Sequence, residues 1–219
     1  MGVDIFDFWD RAAPADHVHP ADHDLLSRVD HDFDLRCLPG QLAGHLRTAP
    51  LVLLFLSGGL SDQHDLTVAD SAAGIEEHRK RRNGILPLWG PDEHVDAWKW
   101  WTTLTRLFSD DWRSLQSKVA LLNVGAYKSK VVTGRDRKLL ERLPSSKVSR
   151  EWAQDVLFPQ GRAGERVVVC LRAQTLWGLS PGRYGKSLFA PNVTRGGHMF
   201  GPLRGEVVAA GREVLGRNA

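Results

Sequence analysis

The run Leu51 to Leu56 is apolar at every position, without the alternation of a half-exposed strand, and it predicts a strand buried on both faces. Three more runs are mainly apolar and also read as strands: Lys118 to Val124, Glu165 to Leu171 and Ser187 to Pro191. Between them the period lengthens to that of a helix. Ser71 to Arg82 begins at a capping serine and ends in four basic residues before Asn83-Gly84, which suits the negative end of a helix. His94 to Phe108 sets Trp98, Trp101, Leu104, Thr105 and Phe108 on one stripe. Asp136 to Leu143, Ser145 to Phe158 and a short Ala173 to Leu179 also read as helices. So does Gly201 to Arg217, with Leu203, Val207, Ala210 and Val214 on one side. Strands alternating with helices predict an α/β fold, a three-layer α/β/α sandwich on a mainly parallel four-stranded sheet. Ahead of it, Asp22 to Val29 and Gln41 to Arg47 read as short helices. Residues 1–47 are therefore expected to be an acidic helical extension packed on an α/β domain of residues 48–219.

In a parallel sheet all strands exit on one edge, and ligands bind in the crevice there. Three exits carry polar residues. The first is Ser57-Gly58-Gly59-Leu60-Ser61-Asp62, whose glycines can take positive φ and let a ligand approach the backbone. The second is Asn123-Val124-Gly125-Ala126-Tyr127, continuing to Lys128 and Lys130. An asparagine at the end of a buried strand needs partners for its amide, so Asn123 either braces a loop or reads a ligand. The third is Ala190-Pro191-Asn192-Val193-Thr194-Arg195, with His198 just beyond.

Charge sharpens this picture. The net charge is only +3, but residues 1–125 hold 12 Lys and Arg against 19 Asp and Glu, whereas residues 126–219 hold 17 against 7. The basic carboxyl half, with Lys128, Lys130, Arg135, Arg137, Arg183, Lys186 and Arg195 near expected loops, suits a phosphate-backbone partner. The acidic first 34 residues include His17, His19, His23 and His31, but no short-spaced ligand motif anchors them, so no metal site and no cofactor are expected. Two distant cysteines, Cys37 and Cys170, favour reduced thiols, and no apolar stretch reaches the length of a membrane span. A cytoplasmic monomer without a membrane partner is the expectation.

The three exits together resemble the uracil-DNA glycosylase superfamily. Ser57-Gly58-Gly59-Leu60-Ser61 is similar to the Asn-Pro-Gly-Leu-Ser loop of its mismatch-specific branch, and Ala190-Pro191-Asn192 to its His-Pro-Ser or Asn-Pro-Ser loop. Leu122-Asn123-Val124 looks like the strand that ends in the base-binding asparagine, and the resemblance spans residues 48 to 217. It implies a four-stranded parallel sheet between helices and a DNA base N-glycosylase, a hydrolase of DNA repair. In that reading Ser57, Asp62 and Asn192 are the catalytic candidates. Gly58, Gly59, Leu60, Asn123, Tyr127, Thr194 and His198 are ligand-binding, and Lys128, Lys130 and Arg195 contact phosphate. Val193, Met199 and Phe200 would serve as wedges and Trp89 and Trp100 as stacking surfaces. Ser57 stands where the family has asparagine or a carboxylate, and Ala190 where it has histidine or asparagine. Both an active glycosylase and a protein that only binds nucleic acid or a nucleobase therefore remain open. Ser57-Gly58-Gly59-Leu60-Ser61-Asp62 also looks like the Ser-Gly-Gly-x-Asp-Ser loop of ATP pyrophosphatases, with the last two residues inverted, which implies a nucleotide-binding enzyme. A non-enzymatic single-strand-binding module is the third alternative.

Overall fold

The computed structural model describes residues 2–216, apart from the side chains of Asp62 and Gln63. Six strands form the main sheet: β1 (Leu42–Ala43), β2 (Leu51–Gly59), β3 (Val119–Ser129), β4 (Val167–Cys170), β5 (Gly182–Tyr184) and β6 (Leu188–Ala190). Their order is β1-β3-β2-β4-β6-β5. The four strands expected from the apolar runs are the four parallel ones, β3-β2-β4-β6. The sheet is larger than the expected four strands because a short antiparallel strand closes each edge, β1 on β3 and β5 on β6. A separate ribbon pairs β7 (Asn192–Val193) with β8 (Met199–Phe200).

Burial on both faces accounts for the missing alternation. Val52, Leu54 and Leu56 of β2 face one apolar cluster with Ala120, Leu122 and Val124 of β3. Leu51, Leu53 and Phe55 face the other with Val119, Leu121, Val167 and Val169. Helices α1 (Ile5–Trp9), α2 (His23–Arg28), α7 (Gly134–Leu140), α8 (Pro144–Trp152) and α9 (Phe158–Ala163) supply the first layer. In the second lie α5 (Val95–Thr105), α6 (Trp112–Gln116) and α10 (Leu203–Gly216). Arg217, placed in the last helix by its pattern, lies outside the described residues.

Four local expectations are corrected. Gln41 to Arg47 is not a helix: Leu42 and Ala43 pair with Leu122 and Leu121 along the open edge of β3. The residues after the Ser-Gly-Gly stretch are not loop, since α3 (Asp62–Ala69) starts there, ahead of the expected α4 (Ala72–Arg82). Ala173 to Leu179 forms turns, because the chain enters it through Ala173 at a φ of 58°, a left-handed start that cannot continue a right-handed helix. Conversely, α8 does not stop at Phe158; it passes through a π turn at Ala153–Leu157 into α9, where Pro159 sits in the first turn and needs no amide partner.

The amino-terminal segment is built into the molecule. Ile5, Phe6, Phe8 and Trp9 are buried in the first cluster. Gln41, fully buried, donates to the carbonyls of Val124 and Ser145 and accepts from Trp9 Nε1 at 2.8 Å. Asp22, also fully buried, accepts from the Tyr127 hydroxyl at 2.6 Å and from the Ser145 amide at 2.9 Å. These bonds tie the first 41 residues to β3 and α8.

Candidate functional site

The first two strand exits lie further along the chain than the apolar runs suggest. β2 does not end at Leu56: Ser57 pairs with Gly125, and Gly59 pairs with Ser129 after a register shift. Ser57, Gly58 and Gly59 are thus strand residues, and neither glycine has a positive φ. The open turn that both family resemblances require at this point is replaced by a bulge, which strengthens the local twist. β3 likewise runs on to Ser129, so Asn123 sits in mid-strand. Its Nδ2 donates to the Gly40 carbonyl at 3.4 Å, so it braces the arm. Gly125 is required there because a Cβ would lie 2.5 Å from Leu140 Cδ2 of α7. Tyr127 is buried against the arm, and its hydroxyl, desolvated and facing Asp22, is held far above the usual phenol range.

The true ends of β2 and β3 open on a groove of about 950 Å³. Leu60 lines it just past β2, Lys130, Val131 and Thr133 just past β3, and His31 to Arg36 from the arm. Arg36 grips Asp34 with two hydrogen bonds of 2.9 and 2.6 Å. That grip holds the Asp34 carboxyl down at about 2, so it is an acceptor at neutral pH. The His31 and Phe33 rings lie 5.3 Å apart, and His31 Nδ1 accepts from the Phe33 amide, which fixes the imidazole. The groove therefore combines a cation, an ionised carboxylate, a fixed imidazole and apolar surface.

A second, smaller pocket of about 40 Å³ is lined by α3, α4 and Lys128 of β3. Its volume accommodates a few waters and excludes a nucleobase. At its base Lys128 is ion-paired with Asp65, whose second oxygen accepts from the Ser61 amide at 2.8 Å. Lys128, expected to contact phosphate, is thereby committed to a carboxylate within the fold. Around the pair His64 and His94 stack with centroids 3.7 Å apart, and His78 approaches from α4. Burial keeps all three imidazoles neutral: it lowers His64, takes His94 to about 4 with His64 and Lys128 adding to the effect, and takes His78 to about 3 with Lys128, Arg82 and Arg81 adding. Cys37, pushed up to about 11 by burial and by Asp65, is an inert thiol in this setting.

The connections of the sheet diverge between β2 and β4: β3 lies on one side of β2, whereas β4 and then β6 lie on the other. Ligands of open parallel sheets bind at such a point. Here Trp177 Nε1 donates to the Phe55 carbonyl at 3.2 Å, and Gln174 Nε2 to the Pro191 carbonyl at 2.7 Å. Arg172, the second residue after β4, donates to the Arg195 carbonyl in the turn of the β7–β8 ribbon. Gly197 of that turn has a φ of 85° and packs against Phe55, where a side chain would be strained. The ribbon leaves Asn192, Thr194, Arg195 and His198 exposed, together with Phe200 at 52%. Trp100 is exposed as well, 5.0 Å from the Phe55 ring. Trp89 instead lines the small pocket under Arg81.

The expected site residues thus separate into four places. Leu60 and Lys130 line the open groove. Lys128 lines the small pocket. Asn192, Thr194, Arg195 and His198 ride on the ribbon. Ser57, Gly58, Gly59, Asn123 and Tyr127 lie within strands, and the side chain of Asp62 lies outside the described residues. The pattern of the chain did not reveal the Asp34–Arg36 pair, the His64–His94 stack or Arg172. Only the last had a local signal, as a cation just beyond a buried strand. Among the described residues no cluster of three or more His, Cys, Asp or Glu side chains is arranged to hold a metal ion, and no helix is long and apolar enough to cross a membrane. No family model, curated protein or solved structure matches this chain, so the site stands on its own residues.

Proposed function

We propose that the carboxyl edge of the sheet binds a nucleobase carried by nucleic acid, with the base in the open groove between the ends of β2 and β3. The groove itself is the observation that supports this reading most strongly. Its volume of about 950 Å³ suits a nucleotide unit, at the upper end of small-ligand sites. Asp34, ionised beside Arg36, accepts from an exocyclic amino or ring N–H, and the fixed His31 imidazole and Leu60 cover the base. The basic carboxyl half of the chain and the exposed polar ribbon suit the strand that carries the base. Base release is the reaction that the glycosylase resemblance implies for this site. The strand conformation of Ser57-Gly58-Gly59 disfavours the pyrophosphatase-like alternative, which needs a phosphate-wrapping turn there.

Purified protein is expected to bind a fluorescein-labelled single-stranded 20-mer with an affinity that falls as salt rises. Leu60→Trp, which fills the groove from a half-exposed position, is expected to abolish that binding with an unchanged melting temperature. Incubation with uracil-, mismatch- and hypoxanthine-containing DNA then separates a glycosylase from a binder by the free base released. Ser57→Ala and Asn192→Ala distinguish the role of the former exits, since neither side chain supports the core. Full binding by Leu60→Trp would remove the base from this groove.

A further inference from the structure

Trp9, Trp101 and Trp177 are fully buried, and each donates its Nε1, to Gln41, to the Trp89 carbonyl and to the Phe55 carbonyl. Trp100 is the contrary case: it stands 42% exposed on α5, at the margin of the stripe on which Trp101, Leu104 and Thr105 are buried. Its ring does not hang free. The buried Phe55 ring of β2 supports it, with centroids 5.0 Å apart and a tilt of 56°. Asp96, one helical turn or about 6 Å before Trp100, accepts from Ser61 Oγ at 3.4 Å, and Ser61 directly follows Leu60 of the base groove. One turn beyond Trp100 lies Leu104, and a Cβ on Gly197 of the ribbon turn would stand 3.9 Å from Leu104 and 3.5 Å from Phe55. Trp100 therefore shares the Phe55 floor with the ribbon turn and lies about one helical turn from the rim of the groove.

The rest of the outer face of α5 is polar, as is usual for a helix turned to water: Asp96, Lys99, Thr103 and Arg106 are all exposed. Val95, the other exposed large apolar residue of α5, lies about 140° around the helix from Trp100. Protein interfaces carry an apolar core built from many residues, and a lone supported ring among polar side chains does not supply one. Such a ring matches one planar ring. Of the two cations on this face, neither Lys99 nor Arg106 is ion-paired among the described residues, and Asp96 is held by Ser61.

Resting on the nucleic-acid reading above, we infer that Trp100 is a stacking platform for a base of the bound strand next to the base held in the groove. Every base offers a π-face, so the platform grips the strand without reading its sequence, and selection is left to the groove. Lys99 and Arg106 beside the ring add positive charge for the backbone phosphates.

The experiment measures binding of the labelled single-stranded 20-mer, and of an abasic sugar-phosphate chain of the same length, across a salt series. Wild type is compared with Trp100→Ala, Trp100→Phe and the control Val95→Ala, which trims an exposed apolar residue elsewhere on the same helix. Trp100→Ala is expected to weaken binding of the natural strand about tenfold, the loss of one stacked base. The slope of log K against log salt should stay as it is, because no charge is removed, and the abasic chain should bind wild type and Trp100→Ala alike. Trp100→Phe should recover most of the loss, and Val95→Ala should change affinity less than twofold. Hydroxyl-radical footprinting of wild type, read by mass spectrometry, should show Trp100 protected by the natural strand and not by the abasic chain. If Trp100→Ala melts well below wild type, that footprint decides, and an unprotected Trp100 overturns the platform. Equal affinity of Trp100→Ala and wild type, or an equal loss on both chains, also overturns it. If Leu60→Trp binds fully while Trp100→Ala loses its tenfold, the platform stands and the groove reading falls. If Leu60→Trp abolishes binding and Trp100→Ala leaves it intact, the groove stands alone. No binding of the natural strand by wild type overturns both.

Discussion

At the arm, Asp22 is fully buried yet receives a hydroxyl at 2.6 Å and an amide at 2.9 Å, and fully buried Gln41 has all its amide atoms engaged. At the carboxyl edge, half-buried Arg172 donates to the Arg195 carbonyl, and the ribbon leaves Asn192, Thr194, Arg195 and His198 exposed. The arm withdraws its polar groups from water and compensates each with an internal bond, whereas the edge leaves most of its polar groups in water. The arm is complete in itself, so its polar groups stabilise the fold. The exposed polar groups of the edge add little to the fold, and in the proposed reading they face the bound strand. The small pocket around Lys128 lies between these cases: Lys128 and Asp65 neutralise each other, but three imidazoles are kept neutral against their tendency to protonate.

That comparison breaks most directly at the arm. Asp22→Ala leaves the Tyr127 hydroxyl and the Ser145 amide buried without an acceptor, and is expected to cost about 3 kcal/mol. A protein of this size should lose about 10 °C in melting temperature as a result. A loss below about 1 kcal/mol in denaturant titration would mean that water replaces the carboxylate and that the arm is no sealed clasp.

The pocket offers a double-mutant cycle of comparable size. Asp65→Ala or Lys128→Met alone strands a poorly hydrated charge and should cost about 3 kcal/mol, while the double variant recovers more than 1 kcal/mol of the sum. Strict additivity would show that the two charges are solvated independently.

Acid should reveal the imidazoles. Their folded-state values lie below the ordinary histidine value, so they stabilise the protein fully above about pH 6.5 and lose that contribution as pH falls toward about 4 for His94 and about 3 for His78. Proton uptake on unfolding is therefore expected to rise toward two from these histidines between pH 6 and 5, with Asp34 adding to it below its ordinary value of 3.8. His94→Gln should reduce that uptake by about one proton in calorimetry across buffers. An unchanged uptake would place this ring in water.

The smallest effect on stability belongs to the edge. Arg172→Gln removes one bond to a carbonyl but relieves repulsion, so the melting temperature should change by the equivalent of less than about 1 kcal/mol. A destabilisation as large as that of Asp22→Ala would instead make Arg172 a structural brace of the sheet edge.

Much of the scaffold was legible along the chain. Unbroken apolar runs marked the four parallel strands because each is buried on both faces. Ser71 before Ala72 and His94 before Val95 marked helix starts, and both side chains accept from a first-turn amide. The ends of the strands were harder to read. Ser57-Gly58-Gly59 and Asn123 to Ser129 hold the polar and small residues typical of turns, yet they stay in the ladder because each stretch pairs with the other. Leu42 and Ala43 became a strand because β3 presented an open edge, not because of their own pattern.

What the sequence by itself determined, then, is the set of central strands, the helices between them and the placement of positive charge in the carboxyl half. These depend on periodicity and composition, which act within a few residues or over the whole chain. Tertiary structure alone decided the fate of each polar side chain. Lys128 meets Asp65 across 63 residues, Tyr127 meets Asp22 across 105, and Arg172 meets the Arg195 carbonyl across 23. Such meetings depend on strand register, on the bulge after Ser57 and on the path of the arm, none of which has a local signature. The basic half marked where cations are abundant; the fold determined which of them are neutralised internally, as Lys128 is by Asp65.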